Sequence, residues 1–125
     1  MTWDMAGSVL IVDDHRGFRV WARQFLETTG YRVSGEAVNG EEAIRATRQL
    51  RPSVVLLDIH LPDMDGFEVT RRLLDTDGHR PQVVLISSRE QVDFGRRIAQ
   101  SGAVGFIAKD RLSVGMLSGL LSGSP

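Results

Sequence analysis

Four short apolar runs constrain the fold of this chain most, because each run ends directly at a polar residue. The runs cover residues 9–12, 54–57, 83–86 and 104–108, and the residues that follow them are Asp13, Asp58, Ser87 and Lys109. Continuous apolar runs of this length suit strands buried on both faces, as in parallel sheets covered by helices. The carboxyl ends of such strands form the ligand site of the sheet. We therefore expect carboxylates, a hydroxyl and an ammonium at one rim, a set that suits a divalent cation and a phosphoryl group.

The length and composition limit the classes of protein to which the chain can belong. Its 125 residues suit one domain rather than two. The net charge of -1 gives no general attraction to nucleic acid or to acidic membranes. Cysteine is absent, which excludes disulfides and thiolate metal sites and fits a reducing cytosol. No apolar run approaches the roughly 18 residues of a membrane span, so we expect a cytoplasmic protein with no membrane partner.

The segments between the apolar runs complete an alternation of strands and helices. A more polar strand is predicted over 31–36, at an edge of the sheet. The order is then strand and helix five times, which favours a parallel sheet with right-handed crossovers. We expect residues 1–7 to be a disordered N-terminal segment, 8–121 to be the domain, and 122–125 to be a tail or the start of a linker.

Five helices are predicted from apolar spacing and from residues that suit helix ends. Asp14, Asn39 and Asp65 are the predicted N-terminal caps of the first three helices. The fourth helix, over 91–101, has few apolar positions and should be less stable locally. The fifth, over 112–121, contains two glycines, each of which costs about 1 kcal/mol relative to alanine within a helix.

The acids at the strand ends carry the strongest chemical signal. Asp13 and Asp14 are adjacent carboxylates that repel each other, and a hard cation such as Mg²⁺, which takes oxygen ligands, would relieve that repulsion. A plainer interpretation stays open, in which Asp14 caps a helix and the other acid is solvated. Asp58 can act as a nucleophile towards phosphorus and form an acyl phosphate, with a metal and Lys109 to offset the charge.

The other polar candidates have ordinary interpretations when each is taken singly. Ser87 suits a strand-end turn and Lys109 a surface charge, but their joint placement at strand ends favours a role at a phosphoryl group. His60 is more typical of a solvated loop residue than of a metal ligand through its side chain. His15 and His79 have no partner at metal-ligand spacing, so we expect no zinc site. Neither a glycine-rich phosphate loop nor a nucleophile elbow occurs in the sequence.

Four stretches together resemble the receiver domain of bacterial two-component response regulators. They are residues 11–15, 56–66, 85–88 and 105–110, in the order and spacing of that family. The Asp-Asp-His start and the Lys-Asp after the last strand are similar to receivers that precede a LuxR-type helix-turn-helix domain. The resemblance implies the flavodoxin-like receiver fold, an α/β fold with a five-stranded parallel sheet of order 2-1-3-4-5 and helices on both faces.

The resemblance also implies a phosphoacceptor and a cofactor. Asp58 would accept a phosphoryl group from a sensor histidine kinase. Mg²⁺, with Mn²⁺ as a substitute, would be held by Asp13, Asp14, Asp58 and the backbone carbonyl of His60. The chain would not be an enzyme beyond catalysing its own phosphoryl transfer and dephosphorylation.

Further roles implied by the resemblance concern the phosphate and the response to it. Lys109 and Ser87 would bind the phosphate. Ser87 and Phe106 would be the switch residues, and His60 and Arg89 would flank the path of attacking water and tune the lifetime of the phosphate. The face made by the fourth helix, the last strand and the fifth helix would then be biased between two arrangements.

The expected partners follow from this picture. They are a sensor histidine kinase, a second copy of the chain through the switching face, and DNA only through an output domain that is not in this chain. The lysine-aspartate pair and the linker-like tail favour a piece of a DNA-binding regulator over a stand-alone receiver. Two alternatives stay open: a degenerate docking module that acts by protein contacts and, less favoured, a Mg²⁺-dependent phosphohydrolase.

Overall fold

Five parallel strands form one sheet at the centre of the structure, a computed structural model that describes residues 7–122. The strands in chain order are β1 Ser8–Val12, β2 Arg32–Ala37, β3 Val54–Asp58, β4 Gln82–Ser87 and β5 Gly105–Ala108. They lie in the order β2-β1-β3-β4-β5. This order confirms the predicted topology and places the polar strand β2 at an edge.

A helix or helical segment follows each strand, as the alternation predicts. The helices are α1 Arg16–Thr28, α2 Gly40–Leu50, α3 Gly66–Leu74, α4 Arg97–Gln100 and α5 Val114–Ser122. Two 3-10 turns, Gln91–Phe94 and Lys109–Arg111, precede α4 and α5. The helices cover both faces of the sheet, so the central strands are buried on both sides.

Alternate residues of each central strand supply two separate cores. In β1, Leu10 and Val12 pack with α2, α3 and α4 on one face. Val9 and Ile11 pack with α1 and α5 on the other face. Because successive side chains of a strand point to opposite faces, a continuous apolar run is what a strand between two helical layers requires. The polar residue that ends each run therefore emerges at the carboxyl rim of the sheet.

The helix starts confirm two predicted caps and correct the third. The side chains of Asn39 and Asp65 each accept a hydrogen bond from the backbone N–H three residues further on, at 2.8 and 2.9 Å. The predicted cap Asp14 is wrong, because the N-cap position of α1 is His15, whose own side chain makes no capping hydrogen bond. The carboxylate of Asp14 instead lies 3.2 Å from Nδ1 of His15.

The last two helices differ from their predicted extents. The fourth is not continuous over 91–101, because Gly95 has a φ of 58° and separates the 3-10 turn from the four-residue α4. Glycine adopts that conformation at little cost. The fifth begins at Val114 rather than at 112, since Leu112 is extended and buried against the sheet.

Two predictions concern the chain as a whole. The domain limits stay a prediction, since residues 1–6 and 123–125, which make up nearly all of the predicted terminal segment and tail, lie outside the described residues. Between residues 7 and 122, no helix has the length and apolar character needed to cross a membrane.

Candidate functional site

Three residues that are distant in sequence meet at the carboxyl rim of the sheet. Asp13 follows β1 and Asp58 ends β3, and their side chains are only 0% and 3% exposed. Lys109 follows β5 and reaches back over the rim, where its Nζ lies 2.6 Å from Oδ2 of Asp13 and 3.3 Å from Oδ2 of Asp58. One ammonium therefore bridges two buried carboxylates, which compensates part of the cost of burying their charge.

Asp14 and His15 extend this pair of acids into a cluster. Ligand atoms of Asp13, Asp14, His15 and Asp58, which we call the aspartate cluster, all lie within 4.8 Å of one another. Nδ1 of His15 lies 3.2 Å from an oxygen of Asp13 and 3.2 Å from one of Asp14. The prediction that His15 has no partner at metal-ligand spacing is therefore wrong, while the expectation of no zinc site stays a prediction. The turn that follows β1 brings its ring back onto the two acids that precede it.

The surroundings of one buried oxygen of Asp13 indicate that these residues suit a cation. Among residues 7–122, Oδ2 of Asp13 has no hydrogen-bond partner of acceptable geometry, although the Lys109 ammonium forms an ion pair with it at 2.6 Å. A buried carboxylate oxygen in that state has spare capacity for a positive partner. Carboxylate oxygens are the ligands that hard divalent cations take in proteins. The aspartate cluster is thus chemically suited to hold such an ion.

The balance of charge at the rim also favours a bound cation. Burial raises the pKa of Asp58, and the neighbouring Asp13 carboxylate raises it too, against the opposing effects of the His60 N–H and of Lys109. Burial acts to lower the pKa of Lys109, but Asp13 and Asp58 outweigh burial and hold that pKa above its ordinary value. The lysine therefore stays charged, and one ammonium faces two buried acids. Further positive charge would stabilise the ionised form of Asp58.

The loop after β3 is held tightly around Asp58. The His60 N–H donates to Oδ1 of Asp58 at 3.1 Å. Both carboxylate oxygens of Asp63 accept backbone N–H groups at the start of α2, at 2.8 and 3.0 Å. A Cβ on Gly66 would lie 2.9 Å from the carbonyl oxygen of Asp58, so only glycine fits there. The loop fixes the position of Asp58, while a ligand role for the His60 carbonyl stays a prediction.

Ser87 lies at the end of β4, beside the strand that carries Asp58. Its side chain is wholly buried, and its Oγ accepts the backbone N–H of Arg89 at 3.0 Å. Asp58 pairs with Ile86 across the two strands, so Ser87 is one position beyond the level of Asp58. Arg89 is exposed. The phosphate-binding role of Ser87 and the lifetime role of Arg89 stay predictions.

An aromatic cluster connects the Asp58 loop with β5. The ring of Phe94, in the 3-10 turn after β4, lies 5.9 Å from the ring of His60 and 5.6 Å from that of Phe106. Phe67 of α3 lies 6.0 Å from the same Phe94 ring. Phe106 is half-buried. The contact between Phe94 and His60 was not predicted, because the two residues lie far apart in the chain.

Two residues of α1 also contact the site and were not predicted to do so. Nζ of Lys109 lies 4.7 Å from the centre of the Phe18 ring, a distance at which a cation and an aromatic face attract. Nη1 of Arg19 donates to the backbone carbonyl of Asp13 at 2.8 Å. The only sequence signal was their position in the first turn of the helix that follows the two acids.

The fold and the site together define a class of protein: a flavodoxin-like α/β domain with a lysine-bridged pair of acids at the carboxyl rim of its sheet. The family model for the response regulator receiver domain matches residues 9–116. The chain belongs to that family, whose members are in general signal transducers rather than enzymes.

Individual relatives agree with this family. BvgA of Bordetella pertussis, by its name a transcription regulator of virulence factors, is 38% identical over 105 residues, which cover 84% of this chain and 50% of that protein. The response regulator GacA of Pseudomonas aeruginosa is 37% identical over 102 residues, covering 81% of this chain and 47% of that protein. The chain thus spans about half the length of the curated relatives it matches.

Solved structures give the same result for the fold. The signal receiver domain of NarL from Mycobacterium tuberculosis superposes with a TM-score of 0.82 at 31% identity, covering 93% of this chain and 94% of that one. A LuxR-family two-component response regulator from Aurantimonas has a TM-score of 0.82 at 27% identity, covering 93% and 83%.

Proposed function

We propose that this chain is the phosphoacceptor of a phosphorelay and that Asp58 takes a phosphoryl group from a phosphohistidine of a sensor kinase. The observation that carries the proposal is the Lys109 ammonium between the buried carboxylates of Asp13 and Asp58. Membership of the receiver family supports it. A buried acid pair with a single cation is costly to maintain, which favours a chemical role over a structural one.

The proposed transfer forms one bond and breaks one. A carboxylate oxygen of Asp58 attacks phosphorus, the phosphorus–nitrogen bond breaks, and its electron pair stays on the imidazole of the kinase. The attacking carboxylate must be ionised, so the burial that raises the pKa of Asp58 makes the reaction sensitive to acid. Lys109 offsets charge as it builds on the phosphoryl oxygens.

Mg²⁺ is the proposed cofactor, and Mn²⁺ would substitute for it. Asp13, Asp14 and Asp58 would hold the ion together with the backbone carbonyl of His60. When bound, the ion would supply positive charge against the repulsion among the acids and the phosphoryl group. Support comes from the buried oxygen of Asp13 that lacks a hydrogen bond and from the close approach of the ligand atoms.

The proposed response starts at Ser87 and ends at the α4-β5-α5 face. A new phosphoryl dianion would attract the Ser87 hydroxyl, whose oxygen now accepts the Arg89 N–H. The strand end would move inward, and Phe106, which packs on Phe94, would turn towards the core. His60 and Arg89 would set how easily water reaches the acyl phosphate.

The output of this switch rests on the relatives. Because those relatives are about twice as long as the matched region and include named transcription regulators, we propose that the switched face controls a DNA-binding domain in a longer protein. A second copy of the chain is the proposed partner of the α4-β5-α5 face. The proposed setting is the cytoplasm, which the lack of cysteine supports.

Labelling by acetyl phosphate tests the assignment of the acceptor. The unaltered chain and the Asp58→Asn variant are incubated with acetyl phosphate and Mg²⁺, and bound phosphoryl groups are detected by intact mass. We expect one group on the unaltered chain and none on Asp58→Asn. Asp63→Asn is the matched control, because Asp63 lies in the same loop and faces α2 instead of the rim; it should be labelled. Labelling of Asp58→Asn would contradict the proposal.

A further inference from the structure

We infer that Arg19 is a positioning residue for the aspartate cluster, which it holds in place through the backbone carbonyl of Asp13. The inference rests on the proposed function, in that the cluster binds a divalent cation. Nη1 of Arg19 donates to the Asp13 carbonyl at 2.8 Å. Nε of the same guanidinium donates to Oε1 of Glu36 at 3.1 Å. The Arg19 side chain is only 14% exposed, and its bond to the Asp13 carbonyl is partly shielded from water.

Both polar groups of the Asp13 backbone, its N–H and its carbonyl, are thereby connected to the edge strand β2. Its N–H donates to the carbonyl oxygen of Ala37, the last residue of β2, at 3.1 Å. Its carbonyl is held by Arg19, which is itself held by Glu36, the residue before Ala37. The turn that starts at Asp13 carries Asp14 and His15 as well, so three of the four members of the aspartate cluster depend on this anchor.

Position, rather than charge, is the expected contribution of Arg19. Its guanidinium forms an ion pair with the Glu36 carboxylate, at 3.1 Å. Glu36 is kept ionised by two arginines, since the hydrogen bond from Arg23 and that from Arg19 lower its pKa despite partial burial. Groups that orient metal ligands without touching the metal change affinity because the ligands must otherwise be ordered at the moment of binding. Loss of Arg19 should therefore weaken cation binding more than it weakens the fold.

Arg23 provides a matched control for this inference. Its Nε donates to Oε2 of Glu36 at 2.8 Å, on the same face of α1 and with the same carboxylate as Arg19. Among the described contacts of Arg23, the others go to Glu27 of the same helix. Replacing Arg23 thus removes an ion pair to Glu36 and leaves the carbonyl of Asp13 bonded to Arg19.

The experiment measures Mn²⁺ binding directly, from the electron paramagnetic resonance signal of free Mn²⁺, with urea unfolding on the same samples. We expect Arg19→Gln to raise the Mn²⁺ dissociation constant about tenfold, and Arg23→Gln to leave it unchanged. Arg19→Lys can still donate to the Asp13 carbonyl and should recover most of the affinity. At saturating Mg²⁺, acetyl phosphate should label the control Arg23→Gln to the same extent as the unaltered chain.

The outcomes separate this inference from the proposed function. Unaltered affinity in Arg19→Gln, or equal weakening in Arg23→Gln, would overturn the positioning role and leave the proposed function standing. Equal weakness of Arg19→Lys and Arg19→Gln would overturn it as well. If the unaltered chain itself binds no Mn²⁺, the proposed cation site fails and the inference fails with it.

Discussion

The two halves of the sheet differ in how firmly their connections are built. Around β1, β2 and β3 the helices α1, α2 and α3 have 13, 11 and 9 residues. Between β4 and β5 the chain instead makes a 3-10 turn and a helix of four residues, and Val92 in that turn is 82% exposed. We call the part from β1 to α3 the firm half; it contains the aspartate cluster. We call the part from β4 onwards the loose half; it contains Ser87 and Lys109.

This difference places the proposed chemistry and the proposed response in different halves of the sheet. Ligand oxygens must keep their positions, which requires a scaffold whose backbone is fixed by long helices and side-chain caps. A segment with little buried apolar surface opens at a lower free energy than the whole domain, so a small change at Ser87 can redistribute it between two arrangements. We expect the half after β4 to respond and the half before it to stay in place.

The largest predicted effect comes from truncating one buried residue in each half. Leu26→Ala, in α1, should lower the free energy of unfolding by about 3 kcal/mol, because the side chain is wholly buried and leaves a cavity. Phe94→Ala should cost less global stability and should mainly speed hydrogen exchange over residues 88–104, since the turn can relax. Urea unfolding and hydrogen exchange measure the two effects.

The same two variants can also show that the two halves of the sheet do not differ in stability. If Phe94→Ala costs as much global stability as Leu26→Ala, with no local change in exchange, the turn is part of the cooperative core. The aromatic contacts of Phe94 with His60, Phe67 and Phe106 would then brace the second half instead of letting it move.

Much of the firm half could be predicted from the sequence because its signals are local. Apolar runs that end in acids fix where β1 and β3 stop, and Asn39 and Asp65 mark helix starts through bonds to a nearby N–H. Asp14, like Asn39 and Asp65, is a capping type of residue at the start of a predicted helix. It failed as a cap because its carboxylate faces His15, a contact that depends on how the turn after β1 folds.

The rest of the site depends on distant contacts that no local pattern contains. The approach of Lys109 to Asp58 was expected from the rule that strand ends share a rim and from the family resemblance, and its shorter contact with Asp13 was not predicted. The bond from Arg19 to the Asp13 carbonyl was not detected, because an arginine in an amphipathic helix looks the same whether it is solvated or anchored. The break at Gly95 was missed because a glycine alone does not reveal its φ angle.

The next effect in size is a pair of glycine-to-alanine changes with opposite signs. Gly66→Ala should lower the free energy of unfolding by roughly 1–3 kcal/mol, because the new Cβ would lie 2.8 Å from the Cα of Ile59. Gly119→Ala, within α5, should raise it by up to about 1 kcal/mol, since its Cβ would meet no atom of the described residues within 4 Å. Urea unfolding distinguishes the signs, and a loss in both variants would mean that α5 is as tightly packed as the Asp58 loop.

The smallest predicted effect is the pH dependence of an ion pair on α3. Hydrogen bonds from Arg71 and Arg72 lower the pKa of Glu68 from 4.5 to about 2. Because the folded pKa lies below the unfolded one, the stabilisation is present above pH 4.5 and is lost as the pH falls towards 2. Glu68→Gln should therefore be slightly less stable near neutral pH, and this difference should shrink as the pH falls from 4.5 and vanish below about 2. A difference that persists in acid would contradict the assignment.

Hydrogen exchange with and without beryllofluoride, a phosphoryl mimic, tests the central claim most directly. In the presence of Mg²⁺, the mimic should change exchange over residues 87–122 and leave α1 and α2 nearly unchanged. Asp58→Asn should show no change anywhere. Three results would contradict the separation of a fixed aspartate cluster from a movable α4-β5-α5 face. They are equal changes throughout the chain, changes confined to α1 and α2, and a full response in Asp58→Asn.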